Sequence, residues 1–306
     1  MTGRCLVQPE SSRASALAER VRQAGLDVVT DSRKADAVVW CSAEPDPLAE
    51  ILSTGGGVRW VQIGQAGIER FVPLLRQQPE TVVWTCAKEI FGPPVAEMVL
   101  GLLITGFRRL DLYAAARRWE PRPVRVLAGS TVVVLGAGGI ARSLVRLLRP
   151  SGADVVVVSP SGTSIDGARP VRSVDTMAAV AAADAVVLAL PLTAETSGMV
   201  DRRFLDAMRS TAWLVNVARG GVVVTDDLVD ALRDRRIGGA ALDVTDPEPL
   251  PDGHPLWALD NAIVTPHVAN TPELSVRALG DRVEENARRF LAGQPLLGVV
   301  DRRAGY

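Results

Sequence analysis

The sequence predicts an α/β protein of two domains, each built on a doubly wound parallel sheet, and three observations predict it. Short Val-rich runs recur that are apolar on both faces instead of alternating with polar residues, as strands buried inside a parallel sheet are. Helical patterns fall between these runs at crossover spacing. The length of 306 residues exceeds a typical domain of about 100–200 residues, so two are expected.

In chain order, 37–40 (AVVW) and 58–63 (VRWVQI) supply strands of the first domain. After the Gly-Pro-Pro stop at 92–94, residues 93–111 read as a long helix that links the domains, apolar at Val95, Met98, Val99, Leu102 and Leu103. The segment WEPRPVRVLAG at 119–129 has two prolines and no periodicity, and reads as a break. Strands at 131–135, 154–159, 185–190, 213–217, 240–244 and 262–265 then alternate with helical patterns at 140–148, 174–182, 202–208 and 225–235. A final stretch, 272–291, with Glu and Arg on one face, reads as a helix packing back on the N-terminal half.

Bulk properties exclude several classes of partner. Thirty-four basic against 35 acidic side chains give a net charge of −1, so no overall field draws nucleic acid or anionic lipid. Cys5, Cys41 and Cys86 are odd in number, far apart and never in CxxC spacing. That argues against a disulfide framework and a zinc site, and fits a reducing compartment. The start, MTGRCLVQPESSRASALAER, turns charged before a signal-peptide core can form. The most apolar segment, 95–107, contains Glu97 and falls short of the roughly 20 residues a bilayer demands. A soluble, cytoplasmic protein with no membrane or nucleic-acid partner is expected.

The most informative local pattern is TVVVLGAGGIARSLVRLL at 131–148, a strand that enters a glycine loop and leaves as a helix. Gly136 permits the tight turn, Gly138 lets backbone approach a pyrophosphate, and Ala141 is small enough for the helix to pack on the strand. With Gly139 and Ile140, the helix start offers free amides to a phosphate. A purely structural turn is the competing reading; the strand, loop and helix setting favours a dinucleotide. About 20 residues on, where an acid would read the ribose of NAD, DVVVVSPSG places Ser159. A neutral Ser neither chelates ribose hydroxyls nor repels a 2′-phosphate, and Pro160 supplies no cation, so NAD and NADP both stay open. Ser161, Thr163 and Ser164 offer hydroxyls to a phosphate, or simply form a solvated turn.

After the glycine loop come PLTAET, NVARGG, LDV, DPEPL, HPLW and TPH, in that order. With these motifs the chain resembles the D-isomer-specific 2-hydroxyacid dehydrogenases, the family of phosphoglycerate dehydrogenases and glyoxylate/hydroxypyruvate reductases. The likeness is dense over 94–271, moderate over 60–92 and thin before that. The two-domain reading then becomes a flavodoxin-like substrate domain, 1–93 plus 272–306, and an inserted NAD(P)-binding Rossmann domain, 94–271. The two-domain reading implies a cleft between them, with hinges at Pro93-Pro94 and near Asn270 to Pro272. The resemblance further implies a homodimer built on the 93–111 helix and the WEPRPVRVLAG segment. The implied reaction is hydride transfer between NAD(P)H and C2 of a small 2-keto acid or D-2-hydroxy acid.

Three catalytic positions follow from the resemblance, and each residue type suits its task. Arg219 carries a planar guanidinium fit to grip a substrate carboxylate or carbonyl oxygen. His267, one of two histidines, can give and take a proton near neutral pH. Glu248 would hydrogen-bond that imidazole and fix its orientation. The other histidine, His254, reads as a loop residue beside Trp257. The resemblance places Leu190 and Pro191 under the adenosine or ribose. It sets Val217 and Ala218, with Arg219 and His267, near the nicotinamide, and Asp243 on its carboxamide. It brings the substrate carboxylate to the backbone amides of Gln65, Ala66 and Gly67. Gln65 replaces a glycine common in that loop, and Thr245 stands where the family commonly has an aromatic. A formate dehydrogenase, which pairs Gln with its histidine, is disfavoured by Glu248. No metal is required. A cofactor-sensing regulator on the same fold is the alternative from another class, and the complete Arg, Glu and His set favours the enzyme.

Overall fold

The computed structural model describes residues 3–54, 57–303 and 305. The chain divides into two compact units, Met1–Phe91 with Thr271–Tyr306, and Gly92–Asn270. The first opens with β1 (Arg4–Gln8), α1 (Ser12–Gln23), β2 (Asp27–Val29), β3 (Ala37–Trp40), α2 (Asp46–Thr54), β4 (Trp60–Ile63), α3 (Val72–Gln77) and β5 (Val83–Thr85). The second runs through α4 (Gly92–Arg108), α5 (Leu110–Ala115), β6 (Thr131–Leu135), α6 (Gly139–Leu148), β7 (Asp154–Ser159), β8 (Arg169–Arg172) and α7 (Thr176–Ala182). It continues with β9 (Ala185–Leu188), α8 (Arg202–Ala207), β10 (Trp213–Asn216), α9 (Thr225–Arg233), β11 (Gly239–Leu242) and β12 (Ala262–Val264). The chain then returns to the first unit as α10 (Pro272–Leu291).

Both sheets are parallel throughout, in the orders β2-β1-β3-β4-β5 and β12-β11-β10-β9-β6-β7-β8. Strands β3, β4, β9, β10 and β11 are buried at every residue, as central strands covered by helices on both faces must be. Four strands go beyond the expected set: β1, β2, β5 and β8. In the first unit Ser11 caps α1 by accepting the Ala14 N–H at 3.0 Å. The buried face of α1 includes Leu17 and Val21. Helix α10 is held to this unit by polar bonds as well as packing. Arg20 pairs with Glu284 at 2.7 Å. In the interior, Trp60 Nε1–H donates to Thr85 Oγ1 at 2.8 Å, Thr85 donates to Gln62 Oε1 at 2.8 Å, and Asn286 Nδ2 donates to the same oxygen at 3.0 Å. A buried network of this kind satisfies groups that would otherwise be costly to desolvate, and so pins the returning helix.

The helix expected over 93–111 is broken. Arg109 adopts the left-handed region, φ 52°, between α4 and α5. There its guanidinium lies 5.7 Å over the Trp213 ring and donates to the Asp260 carbonyl, contacts that replace helical continuity. Nor is α4 only a connector, because it packs inside the second unit. A Cβ on Gly92 would stand 2.7 Å from the Gly139 carbonyl carbon, and one on Gly106 would stand 2.5 Å from the Trp213 ring. Among the described residues no helix is long and apolar enough to cross a membrane.

Asp184 organises the amino end of the second sheet. Its carboxylate accepts the Thr131 N–H at 2.9 Å and Arg209 at 3.0 Å, and pairs with Arg125. Burial pushes its pKa up, but the Thr131 amide and the two guanidinium groups outweigh burial and hold it below the usual carboxylate range. Asp184→Ala is expected to cost about 1–3 kcal/mol in denaturant unfolding at pH 7, since it removes the shared acceptor of a part-buried N–H and two partly exposed guanidinium groups. A lowered folded-state pKa means stability present above the ordinary carboxylate value of about 3.9 and lost as pH falls through the lower folded value. The gap between wild type and variant should therefore narrow in acid; a gap that stays constant down to strongly acid pH would show the carboxylate charge to be irrelevant.

Candidate active site

Every expected site residue of the second unit lies in α6, at the carboxyl end of a parallel strand of one sheet, or in the loop that follows such a strand. This is the edge where open α/β sheets bind ligands, next to the point where strand order reverses, between β6 and β9.

On one side of that point, Gly136 follows β6 with φ 112°. A Cβ there would sit 2.8 Å from the Ala189 carbonyl carbon, so a glycine is required by both conformation and space. This places the loop beside Leu190. Gly138 has the opposite surroundings: it caps α6 in extended backbone and no atom lies within 4 Å of its Cβ position. Open backbone at a helix start is what a pyrophosphate needs, so these residues fit a dinucleotide. Gly139 has a packing role against α4 through Gly92, in addition to the loop role expected for it. Ala141 is fully buried, whereas Ile140 is half-buried in the first turn of α6.

Ser159 closes β7, buried, with its Oγ accepting the Thr163 N–H at 2.8 Å. Ser161 and Thr163 hydroxyls meet at 2.9 Å across the turn, and Gly162 turns the chain at φ 67°. Strand β8 runs beside β7 with Arg172 in register with Ser159. No sequence expectation included Arg172.

On the other side, three adjacent strands deliver the chemistry. After β12, His267 holds φ 53°, a region rarely adopted by non-glycine residues. Its N–H donates to the Asp243 carbonyl at 2.9 Å and the Thr265 carbonyl at 3.0 Å. The Asp243 side chain accepts Thr265 Oγ1–H at 2.6 Å, the Val268 N–H at 3.0 Å and the Ala269 N–H at 3.0 Å. Asp243 thus builds the turn that displays His267; only Oδ2, with one donor, retains an open lone pair. The imidazole Nδ1 lies 2.7 Å from Glu248 Oε1, with both side chains about half exposed.

The Glu248 loop is braced by Thr225 Oγ1–H to the Asp246 carbonyl at 2.6 Å and by Thr245 Oγ1–H to the Pro247 carbonyl at 2.9 Å. The hydroxyl of Thr245, where an aromatic is common, thus serves the turn. Val217 and Ala218 are buried after β10, and Arg219 Nη1 donates to the Ala218 carbonyl at 2.6 Å. Asn216, absent from the expected set, clamps this loop: Oδ1 accepts the Ala218 N–H and Nδ2 donates to the Arg219 carbonyl, both at 3.0 Å. Gly220 lies against the second loop, since a Cβ there would overlap the Thr245 carbonyl and come within 2.6 Å of Asp246 N. His254 caps a short turn, its Nδ1 accepting the Leu256 N–H at 3.3 Å, and the Trp257 N–H donates to its carbonyl at 3.0 Å.

In the first unit, Gln65, Ala66 and Gly67 follow β4. Arg13 Nη2 donates to the Gly64 carbonyl at 2.6 Å and the Ala87 N–H to the Gln65 carbonyl at 2.8 Å. Among the described residues the N–H groups of 65–67 meet no acceptor. Burial pushes the Cys41 pKa up to about 11 against the pull of Arg13. Among the described residues no group of three or more His, Cys, Asp or Glu side chains could hold a metal ion.

Residues 98–269 match the family profile described as D-isomer specific 2-hydroxyacid dehydrogenase, NAD binding domain. The chain is 39% identical to an uncharacterized protein in the proB 3′ region of Corynebacterium melassecola, over 92% of this chain and 93% of that one. It is 32% identical to glyoxylate/hydroxypyruvate reductase A of Klebsiella pneumoniae, over 90% and 89%. Among solved structures it is similar to a D-isomer specific 2-hydroxyacid dehydrogenase from Xanthobacter autotrophicus Py2 in complex with NADPH and MES. The TM-score is 0.86 at 29% identity, covering 100% of this chain and 99% of that one.

Proposed function

Because the chain belongs to the D-isomer specific 2-hydroxyacid dehydrogenases, NAD(P)-dependent oxidoreductases, we propose that it reduces a small 2-keto acid, glyoxylate or hydroxypyruvate, with His267 as general acid. The observation that carries this reading is the 2.7 Å contact between His267 Nδ1 and Glu248 Oε1 at the sheet's carboxyl edge. In this reading the first unit is the substrate domain and the second holds the dinucleotide. The loop of Gly136, Gly138, Gly139 and Ile140 takes its phosphates, with the small, buried Ala141 letting α6 pack on the strand; Leu190 and Pro191 take its adenosine end, and Val217, Ala218 and the open Asp243 Oδ2 its nicotinamide end.

When bound, NAD(P)H supplies the hydride that C2 of the keto acid receives. The proton must come from the protein. An ionised carboxylate can only accept a hydrogen bond, so Nδ1 carries its hydrogen toward Glu248 and Nε2 is the atom that exchanges a proton with substrate. As C2 gains the hydride, negative charge develops on the carbonyl oxygen, and Nε2–H protonates it. Glu248 balances the imidazolium before that transfer. In the oxidation direction neutral Nε2 takes the hydroxyl proton. Arg219 grips the carboxylate and polarises the carbonyl; for the first unit, the family resemblance alone implies that the amides of Gln65, Ala66 and Gly67 bind carboxylate. Gln65 Oε1 is buried without a donor among the described residues.

A keto-acid panel followed at the nicotinamide absorbance with both cofactors tests the proposal, with turnover of glyoxylate and hydroxypyruvate expected. Cofactor binding with no keto acid reduced would overturn it. Gly138→Val adds its side chain to open space, so folding stability should hold within about 1 kcal/mol, while NAD(P)H binding weakens by at least about 10-fold, or 1.4 kcal/mol. Calorimetric titration checks this, and unchanged affinity would remove Gly138 from the cofactor loop. A homodimer is part of the same reading, resting on exposed Trp119, Val126 and Leu110, as is a reducing cytoplasm, suited to three free cysteines.

A further inference from the structure

Resting on the dehydrogenase reading, we propose that Arg172 binds the 2′-phosphate of the cofactor and makes this chain an NADPH enzyme. The argument starts from what the ribose-reading position lacks. An unmodified ribose calls for a carboxylate to accept its hydroxyls, and the turn from Ser159 to Ser164 contains only Ser, Pro, Gly and Thr. The acid just beyond it, Asp166, pairs with Arg149 at 3.3 Å. No negative charge in the turn therefore opposes a phosphate.

A cation is present, supplied by the neighbouring strand. Parallel pairing of β7 with β8 puts Arg172 in register with Ser159, and the turn folds over it. A Cβ on Gly162 would stand 3.1 Å from Arg172 Cγ, so the arginine stem lies directly under the turn that carries the Ser161 and Thr163 hydroxyls. Arg169 at the far end of the same strand is occupied by Asp154 at 3.7 Å. Arg172 is exposed, and among the described residues no carboxylate pairs with it. An exposed guanidinium whose stem passes beneath a turn bearing two hydroxyls, with no acid paired to it, matches a phosphate dianion, which accepts paired N–H donors in fork geometry. The glycine at 162 keeps the turn low enough for the stem to pass.

The test uses binding to the intact protein. Dissociation constants for NADPH, NADH, adenosine 2′,5′-bisphosphate and 5′-AMP are measured by calorimetry for wild type, Arg172→Ala and Arg172→Lys. Wild type should prefer NADPH over NADH and the bisphosphate over 5′-AMP. Arg172→Ala should weaken NADPH and the bisphosphate by about 10- to 100-fold, the range of a charged hydrogen bond, while NADH affinity stays level. Arg172→Lys should recover part of the loss, with steeper salt dependence than Arg172→Ala. Wild type that binds NADH as tightly as NADPH would overturn this inference and leave the dehydrogenase reading intact. Equal loss of both cofactors in Arg172→Ala would make the residue structural and overturn it too. Binding of neither cofactor by wild type would overturn both readings.

Discussion

His267→Asn should lower the rate of keto-acid reduction by about 100- to 10,000-fold, the contribution of a positioned general acid, while leaving NAD(P)H affinity close to wild type. The choice of Asn follows from the backbone. His267 sits at φ 53°, where Ala is strained but Asn is among the residues that enter the left-handed region most readily. The amide bonds from residue 267 to the Asp243 and Thr265 carbonyls should therefore persist, so that loss of rate reports the missing imidazole. The Asp243 carboxylate keeps Val268 and Ala269 in place in the variant as in wild type. Steady-state kinetics on glyoxylate, with calorimetric NAD(P)H binding beside it, separates the outcomes. A near-wild-type kcat would remove His267 from proton transfer, and loss of cofactor binding would indicate a collapsed loop.

The same residues show what the sequence could and could not disclose. The central strands were legible because burial on both faces leaves only Val, Ala, Ile and Leu, as in DVVVVS and AVVL. Strand β8, RPVR, lies at the sheet edge with three of its four residues exposed. It therefore carries no apolar signature, and Arg172 went unseen with it. Strand β1, RCLVQ, is central but short, with polar residues at both ends. The Arg109 break in the long helix depends on Trp213 and Asp260, far away in sequence. At the site, the chemical residue types at strand ends were readable, and the pairing of Glu248 with His267 followed only from the family resemblance. The supports were not. Asn216 as a clamp and Asp243 as the builder of the His267 turn depend on three loops meeting at one edge. Local sequence carries no trace of that meeting.

Gly220 and Gly221 give the sharpest case of two like letters with unlike physical demands. Gly220→Ala should reduce kcat/KM by about 100-fold, the order expected when reacting groups are displaced by about 1 Å, and destabilise the fold by about 1–3 kcal/mol through overpacking. Its added methyl would overlap the Thr245 carbonyl and stand 2.6 Å from Asp246 N. Backbone cannot rotate away as a side chain can, so the Arg219 loop and the Glu248 loop must part. The Asn216 clamp and the Thr225 and Thr245 hydroxyl bonds hold those loops from behind and oppose any smooth relaxation. Gly221→Ala is the internal control. Its methyl would meet Leu192 side-chain carbons at 3.4 and 3.6 Å, ordinary contact distances, so both rate and stability should stay near wild type. Kinetics and thermal unfolding of the two variants side by side decide the point. If Gly220→Ala were as active as Gly221→Ala, close approach of the two loops would have no part in setting Arg219 against the Glu248 and His267 pair.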